Sequence, residues 1–398
     1  MLETVRAYAA ERLAASADAE PVREDHFRYY LALAERHGTA QALRGARAET
    51  HFATLDAEID NLHAAIGWAV ATRSAGRALA MAAALDSYWL LRNRYADALH
   101  WVEQALNLPD AEAEAALQVH VLCAKARCLW RVGRGAEQPA VLAVAEAIAR
   151  RLDDPLLVTK VIQCRVHHDI DAGRLERGDA LADEALHWAH VARDDWEIAE
   201  AFRAKAIAAP GLTELRERVD DAAALLMTVG NLDGLASLLT SAAYSALCLG
   251  NGQDASDYAA RAISPTRALG NPYAQMMNCG NLGLAALLTG APGTAAQAFH
   301  EELRLCRAMV VLPVAYEGLR GLAAVAASSG DDPRAATLVG ASDAHRYDWP
   351  GDPLEARLDA EFFQPARARY GTDAWNERAR RGGALNFLEA IAYGLSEG

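Results

Sequence analysis

Aromatic residues and proline are scarce in this 398-residue chain: Phe, Trp and Tyr together make up 7% of it, and proline occurs 13 times. Few aromatic and β-branched runs disfavour a β-sheet protein. The dominant residue is alanine, which loses no side-chain entropy in a helix. Runs of about 18 uncharged apolar residues, which a membrane-spanning helix needs, are missing as well. The composition therefore predicts an all-α protein without a membrane span.

Several catalytic and cofactor-binding motifs are also missing. The chain has no GxxxxGK[ST] loop to hold a nucleotide phosphate and no GxSxG turn for a nucleophilic serine. Its six cysteines form no CxxC and have no zinc-finger spacing. They fall in helical patterns, where a free cysteine behaves as a small buried hydrophobe. We therefore expect no ATPase activity, no metal and no cofactor.

Basic residues are fewer than acidic ones, and the formal net charge is −14. Nucleic-acid phosphates repel such a chain, so direct binding of nucleic acid is not expected. The segment Met1–Leu13 carries Glu3, Arg6, Glu11 and Arg12 and lacks an apolar core, which argues against a secretory signal. The expected compartment is the cytoplasm.

A repeat of about 40 residues organises the middle of the chain. Apolar helical segments end at a turn residue, and a second helical segment follows each of these turns: Asn93, Gly133, Gly173, Gly211, Gly250, Gly290 and Gly330. Glycine suits a helix end because it enters the left-handed backbone region without a steric clash. Seven such units in register predict a solenoid of helix pairs, in which each pair buries its apolar stripe against its neighbours.

Small residues mark the packing within each pair. The residue seven before the turn is small in every unit but the first, as at Ala126, Ala204 and Ala243, and the residue five after the turn is mostly small. This is the tetratricopeptide pattern, stretched from its usual repeat of ~34 residues by longer helices. The alternative, an irregular helical bundle, does not explain the constant period.

Both ends of the chain depart from the repeat. We expect an N-terminal helical cap (1–75), the repeat array (76–342), and a C-terminal loop and helical cap (343–398). Residues 1–16 (MLETVRAYAAERLAAS) resemble the helix that closes the winged-helix segment of AfsR/LuxR-type signal-transduction ATPase regulators. Residues 55–70 (LDAEIDNLHAAIGWAV) are similar to the start of the tetratricopeptide array in those proteins, and residues 382–395 (GGALNFLEAIAYGL) to their C terminus.

The resemblance covers essentially the whole chain but only the C-terminal part of that family. The family's nucleotide-binding domain would precede residue 1, and the DNA-binding helix-turn-helix that many relatives carry is not found in the chain. The resemblance therefore implies the sensor half of such a regulator. It implies an array that binds a small effector or a partner protein, without ATPase or DNA-binding activity of its own.

In tetratricopeptide arrays the first helix of each pair lines the concave groove. The residues 13, 10 and 6 before each turn share that helix face, and we call them the groove positions. In the first half of the array many of them are basic or polar: His120, Arg127, Lys160, Gln163, His167 and Lys205. Tyr244 follows in the next unit, and Trp130 and Asp171 lie near the turns. Grouped cations in an acidic chain predict an anionic ligand group, although long basic side chains are also often simply solvated.

The stretch VHHDID, Val166–Asp171, places four ionisable residues in a helix that is otherwise apolar. His167 is expected to face the groove, with Asp171 one turn further on. Asp169 occupies a position that is apolar in the other units. A buried carboxylate needs a partner, and three basic residues eight before their turns are expected to provide a buried ion pair: Lys125, Arg165 and Arg203.

Two alternatives for the same stretch stay open. His167, His168 and Asp169 would be the acid–base groups of an enzyme. With Asp171 they would instead hold a metal, although a second pair of ligands is not evident. If His167 binds a ligand, it is expected to titrate between about pH 5.5 and 7.5, as an unperturbed histidine does.

The insertion HRYDWPGDP, His345–Pro353, replaces a helix-pair connection. Its Tyr347 and Trp349 are expected to cover the last pair as a cap. The alternative is a lid over the end of the groove.

Together these features favour a non-catalytic helical-repeat module that binds a small, anionic effector or metabolite. Arg127, His167, Lys205 and Tyr244 are the expected centre of its site. Two alternatives remain: an enzyme of secondary metabolism built on a repurposed array, and a scaffold for a peptide or partner protein.

Overall fold

The computed structural model describes residues 8, 11–13, 15–269, 272–309, 312–346 and 353–396. Within these ranges every regular element is a helix. Before the repeat, the helices whose bounds lie within the described residues are α1 (Ala19–His37), α2 (Ala40–Arg44), α3 (Ala48–Ala57) and α4 (Ile59–Ala71). Among the described residues, no helix is both long and apolar enough to cross a membrane.

Seven helix pairs follow along the chain: α5 (Ala75–Leu91) and α6 (Tyr95–Leu106), α7 (Ala115–Arg131) and α8 (Gln138–Leu152), α9 (Pro155–Asp171) and α10 (Leu175–Ala192), α11 (Asp195–Ile207) and α12 (Leu212–Thr228), α13 (Leu232–Cys248) and α14 (Gly252–Ala268), α15 (Pro272–Leu288) and α16 (Pro292–Met309), α17 (Leu312–Ser328) and α18 (Asp332–Ala344). The C-terminal part contains α19 (Pro353–Leu358), a π-helical segment (Asp359–Phe363), α20 (Gln364–Tyr370), α21 (Thr372–Gly383) and α22 (Phe387–Leu395). This architecture confirms an all-α array of tetratricopeptide-like pairs with helical ends.

The turns between paired helices follow the expected chemistry in six of the seven units. Their central residue has a positive φ, which is 56° at Asn93 and between 71° and 85° at the five others: Gly133, Gly173, Gly250, Gly290 and Gly330. Glycine adopts this conformation without strain. In these six units the first helix has 17 residues and ends two residues before the turn.

The fourth pair departs from the pattern, and the expected turn at Gly211 is wrong. Gly211 does not have a positive φ, and α11 has 13 residues and ends at Ile207. Pro210, which disfavours helical backbone before it, lies in the short connection. When α11 and the 17-residue helices are aligned by their first residues, Glu200 and Arg203 of α11 fall at groove positions. Lys205 falls two residues away from the nearest groove position.

The small positions of the pairs are buried, as the repeat predicts. Ala126 and Ala243 have no exposed surface. Neither has Ala206, which takes this position in α11 once that helix is aligned with the others, and Ala204, to which the wrong turn had assigned it, is buried as well. Because a larger side chain there would push the paired helices apart, these alanines explain the close approach of each first helix to its neighbours.

The chain forms two compact units. The first comprises Met1–Ala208 and Thr228–Asn231, and the second comprises Ala209–Met227 and Leu232–Gly398. Large fully buried side chains such as Tyr88 and Trp89 fill the first unit, and Phe299 and Trp375 fill the second.

The helices that precede the repeat pack onto its first pair. Asp56 on α3 accepts hydrogen bonds from Tyr88 on α5 (2.7 Å) and from Arg92, which directly follows α5 (2.6 Å). After α1 the chain passes so close to α5 that a β-carbon at Gly38 would lie 2.2 Å from the carbonyl oxygen of Ala84. Only glycine allows this approach, and it directs the short helix α2 along the first helices of the repeat.

In the second unit, glycines bring α15, α16 and α17 into close contact. The ring of Phe299 on α16 lies between Gly283 and Gly321, where β-carbons would come within 2.6 and 2.3 Å of its atoms. The C-terminal helix α22 is held in a different way. The guanidinium of Arg334 donates hydrogen bonds to carbonyl oxygens at its end, including that of Ser396 (2.6 Å).

Of the insertion at His345–Pro353, residues 347–352 lie outside the described part of the chain, and Tyr347 and Trp349 are among them. At its start, the ring of His345 is 3.0 Å from the carbonyl oxygen of Leu385, through Nε2.

Candidate binding site in the first unit

A cluster of buried ionisable side chains joins three helices of the first unit. Glu200 on α11 accepts hydrogen bonds from Arg203 Nη2 (2.7 Å) and from the amide of Asn231 (2.5 Å). Arg44, at the end of α2, brings a second guanidinium to 3.8 Å from the same carboxylate. Arg203 also lies 3.1 Å from His167 Nε2 on α9. We call Arg44, His167, Glu200, Arg203 and Asn231 the central cluster.

The register of the repeat places three members of the central cluster at groove positions. His167 is six residues before Gly173, and Glu200 and Arg203 take the two corresponding positions of α11. The side chains of Glu200 and Arg203 are 9% and 8% exposed, so water screens their charges little. The cluster therefore holds strong electrostatic interactions on the face that tetratricopeptide arrays use for binding.

Opposing effects set the charge of Glu200. Burial by itself would raise the pKa of the carboxyl group, but the guanidinium groups of Arg203 and Arg44 outweigh burial and hold the pKa at about 2. Glu200 is therefore ionised at neutral pH and has two cations as partners.

His167 is neutral at physiological pH. Burial and the nearby Arg203 guanidinium lower its pKa to about 3. Because a guanidinium can only donate, Nε2 of His167 must accept from Arg203, and the ring proton lies on Nδ1. The expectation that His167 titrates between about pH 5.5 and 7.5 is therefore wrong.

Two of the other basic groove residues, Arg127 and Lys160, have an acidic partner. Arg127 on α7 forms an ion pair with Asp86 on α5, and the ammonium of Lys160 is 3.5 Å from Glu197. Burial, followed by the charge of Lys160, lowers the pKa of His120 to about 4, so this ring is also neutral at pH 7. The predicted basic cluster thus consists of ion pairs and neutral histidine rings.

Lys205 lies elsewhere than the sequence predicted. It forms an ion pair with Asp183 on α10, in the preceding pair. Lys125 and Arg165 make equivalent contacts, with Glu103 and Glu146 of the helix before them. Lys205 therefore belongs to the packing between successive pairs. The two-residue error in the fourth turn, at Gly211, had assigned it to a groove position.

Asp169 is a buried ion-pair residue, as expected, but its partners differ from those predicted. Its side chain is 3% exposed and contacts Arg174 (2.5 Å) and Arg177 (3.0 Å) at the start of α10. The predicted partners Arg165, Lys125 and Arg203 are paired with other carboxylates. The cations of Asp169 thus come from across its own turn.

The stretch around His167 does not form one site. His167 points to Arg203, while His168 Nδ1 lies 2.8 Å from Gln138 on α8. Asp169 points to the turn. Among the described residues, no group of three or more His, Cys, Asp and Glu side chains could hold a metal ion. The acid–base and metal alternatives for these residues therefore lack a shared geometry.

The remaining predicted site residues are dispersed. Gln163 donates a hydrogen bond to the backbone carbonyl of Glu197 (3.2 Å), and the ring of Trp130 packs over Gly135 in its own turn. Tyr244 belongs to the second unit and is 37% exposed. The side chain of Asp171 lies outside the described part of the structure.

Two members of the central cluster could not be found by counting along the repeat. Arg44 lies outside the array, and the link from Asn231 to Glu200 spans 31 residues. Glu200 and Arg203 had a signal, because oppositely charged residues three apart on one helix face suggest a pair. The wrong turn residue hid their groove positions.

Comparisons with known proteins agree with this architecture. No family model matches the chain. Curated proteins from Mycobacterium bovis and Mycobacterium tuberculosis, provisionally named HTH-type transcriptional regulators, are 30% identical to it over 213 residues. The match includes 50% of this chain and 23% of each relative, so the chain spans about a quarter of their length.

A solved structure shows the same fold. It is a signal-transduction ATPase with numerous domains from Pyrococcus horikoshii, which has a tetratricopeptide repeat sensor. The TM-score is 0.52 at 14% identity, over 88% of this chain and 55% of that one. The chain is a tetratricopeptide-type helical-repeat scaffold related to regulator proteins.

Proposed function

We propose that the chain is the non-catalytic sensor module of a regulator and binds a small anionic effector at the central cluster. The observation that carries the proposal is the convergence of two guanidinium groups, from Arg203 and Arg44, on the single carboxylate of Glu200. A ligand carboxylate or phosphate would compete with Glu200 for these cations, and charge-assisted contacts with arginine suit both groups.

The origin of Arg44 suggests how binding would be signalled. Arg44 is on the N-terminal segment, whereas Arg203 and His167 are on the repeat. Helix α2 has five residues, of which Leu43 is the buried one. Because one buried apolar side chain holds this short helix, an effector that changes the Arg44–Glu200 contact would shift the position of α2.

The proposal is tested by native mass spectrometry with a panel of small carboxylates and phosphate monoesters, each paired with its neutral amide or alcohol. We expect a member of the panel to bind and its neutral partner not to bind. Arg203→Ala should then weaken binding by about 1–3 kcal/mol, the usual contribution of one charge-assisted contact.

The matched control is Lys205→Ala, two residues further on the same helix, because its ammonium pairs outside the groove positions. Arg203→Lys keeps the charge and guards against a folding defect in the alanine variant. Equal weakening by Arg203→Ala and Lys205→Ala, or tight binding of the neutral compounds, would contradict the proposal.

One observation favours a second candidate function, the binding of a peptide or partner protein. The chain's own segment runs along the first helices of the repeat, from Gly38 at Ala84 to Arg44 at Glu200. A partner peptide would take the same path. A basic side chain of such a peptide would compete with Arg44 for Glu200. Binding of short basic peptides in the same screen, and its loss in Glu200→Gln, would favour this candidate over the anionic effector.

A further inference from the structure

Glu302 is an unusual residue in the core of the second unit. It lies on α16 and has no exposed surface. Neither of its carboxyl oxygens has a hydrogen-bonding partner among the described residues. Buried carboxyl groups are normally paired or hydrogen-bonded, because an unpartnered one loses its hydration without compensation.

The carboxyl group of Glu302 occupies a space that two glycines create. A β-carbon at Gly280 on α15 would lie 3.2 Å from Oε1, and one at Gly318 on α17 would lie 3.2 Å from Oε2. One turn away, Gly283 and Gly321 flank Phe299 in the same manner. The two glycine pairs form equivalent spaces, but one contains an apolar ring and the other a polar acid.

The acid tip lies near groove positions. Gly280 is ten residues before the turn at Gly290, and Glu317 is thirteen before the turn at Gly330. Burial and the charge of Glu317 both raise the pKa of Glu302 well above its ordinary value, and both therefore favour the neutral acid. Glu302 in turn contributes to the raised pKa of two nearby thiols, those of Cys279 and Cys306.

A core acid that is neither paired nor hydrogen-bonded does not stabilise the fold, whereas it would pair strongly with a cation. The half-buried residues at the other groove positions of α15 are apolar: Met277 and Leu284. Met277 is one turn before Gly280, and its unbranched side chain can move aside without a backbone change. Two carboxyl groups beside apolar side chains suit an organic cation.

We propose that Glu302 is the acidic anchor of a second binding site, for a ligand that carries a protonated primary amine on an apolar body. The ammonium group would enter beside Gly280 and pair with Glu302, with Glu317 as a second acid nearby. Glu302 would release its proton to solvent as the ammonium binds, so the charge within the site stays balanced. This site lies in the second unit and does not depend on the function proposed for the first.

The test uses the purified full chain and three primary amines, n-butylamine, n-hexylamine and 2-phenylethylamine. The corresponding alcohols, which lack the charge, serve as controls. Calorimetric titration in two buffers of different ionisation enthalpy measures both affinity and proton release. We expect at least one amine to bind with release of a proton, and we expect no binding of its alcohol.

The variants separate a binding role from a packing role. Glu302→Gln keeps the shape and should lose at least about tenfold in amine affinity, together with the proton release. Glu301→Gln is the matched control, since Glu301 is 53% exposed and pairs with Arg304.

If Glu302→Gln unfolds, Gly280→Ala still tests the proposal, because its methyl group would occupy the proposed entry. Absence of binding by all three amines to the wild type would overturn the proposal. Equal affinity in wild type and Glu302→Gln, or binding without proton release, would also overturn it.

Discussion

Acid should destabilise the first unit through His167, and replacing this residue should remove much of the effect. The ordinary pKa of histidine is 6.5, and folding lowers that of His167 to about 3. Below pH 6.5 the unfolded chain therefore binds a proton that the folded chain does not. The stability of the fold falls as the pH decreases between these two values, because protons favour the state that binds more of them.

The expected loss of unfolding free energy follows from the pH interval over which stability is measured. Between about pH 6.5 and 4, the difference of about 2.5 pH units at about 1.36 kcal/mol each gives about 3 kcal/mol. Glu200, with its pKa of about 2, stays ionised over this interval and continues to hold Arg203. His167→Gln keeps a hydrogen-bond acceptor for Arg203 but cannot titrate, so it should lose about 3 kcal/mol less than the wild type.

Urea unfolding followed by circular dichroism, at about pH 7 and about pH 4, measures this difference. The control is His187→Gln, which replaces an exposed histidine on α10 and should respond to acid as the wild type does. At pH 7 we expect His167→Gln to lie within about 1 kcal/mol of the wild type. If both proteins lose the same stability on acidification, His167 is not held neutral in the fold, and the assigned contact with Arg203 is wrong.

Four further outcomes are expected. Glu200→Ala should cost about 3–5 kcal/mol in unfolding free energy, because it leaves the buried guanidinium of Arg203 without its carboxylate; a change below about 1 kcal/mol would contradict the central cluster. Asp169→Ala should cost less, about 1–3 kcal/mol by the same unfolding assay, since Arg174 and Arg177 are 43% and 60% exposed and return to water. Ala243→Leu should lower stability by about 1–3 kcal/mol through overpacking, and an unchanged melting temperature would refute the repeat register at that pair. Glu302→Gln should gain stability relative to the wild type as the pH rises from about 5 to 8. The pKa of Glu302 is raised in the folded protein, so the wild type loses stability as the pH increases, whereas the variant does not. An equal change of melting temperature in both proteins between these pH values would disprove this.

The sequence predicted the helix pairs because their signal is local and repeated. A left-handed residue such as Gly133 or Gly250 must end each first helix, and the small residues at a fixed distance from it report the packing. Counting from the turn fails only where a turn is built differently. In the fourth pair a shortened first helix and Pro210 removed the landmark. The groove positions were therefore placed two residues too early, so that Lys205 was assigned in place of Ile207, and Glu200 and Arg203 were missed.

Contacts of the central cluster were harder to predict, because they connect parts of the chain far apart in sequence. Nothing near Arg44 in the sequence indicates that its partner is Glu200, and the path of α2 depends on the close approach at Gly38. The partners of Asp169 are a different case. Arg174 and Arg177 are near in sequence, and the turn at Gly173 brings the end of one helix beside the start of the next. A prediction that compared both sides of each turn would have found them.

The division into two compact units has a practical consequence for dissecting this chain. The chain leaves the first unit after Ala208 and returns to it for Thr228–Asn231. A fragment that stops at residue 208 would contain Glu200 but not the amide of Asn231 that donates to it. A fragment meant to preserve the central cluster must therefore extend through residue 231, and it will carry α12 with it. Limited proteolysis between 209 and 227 would separate two peptides that both contribute to the first unit. A nick there can break the hydrogen bond from Asn231 to Glu200 without removing any groove residue.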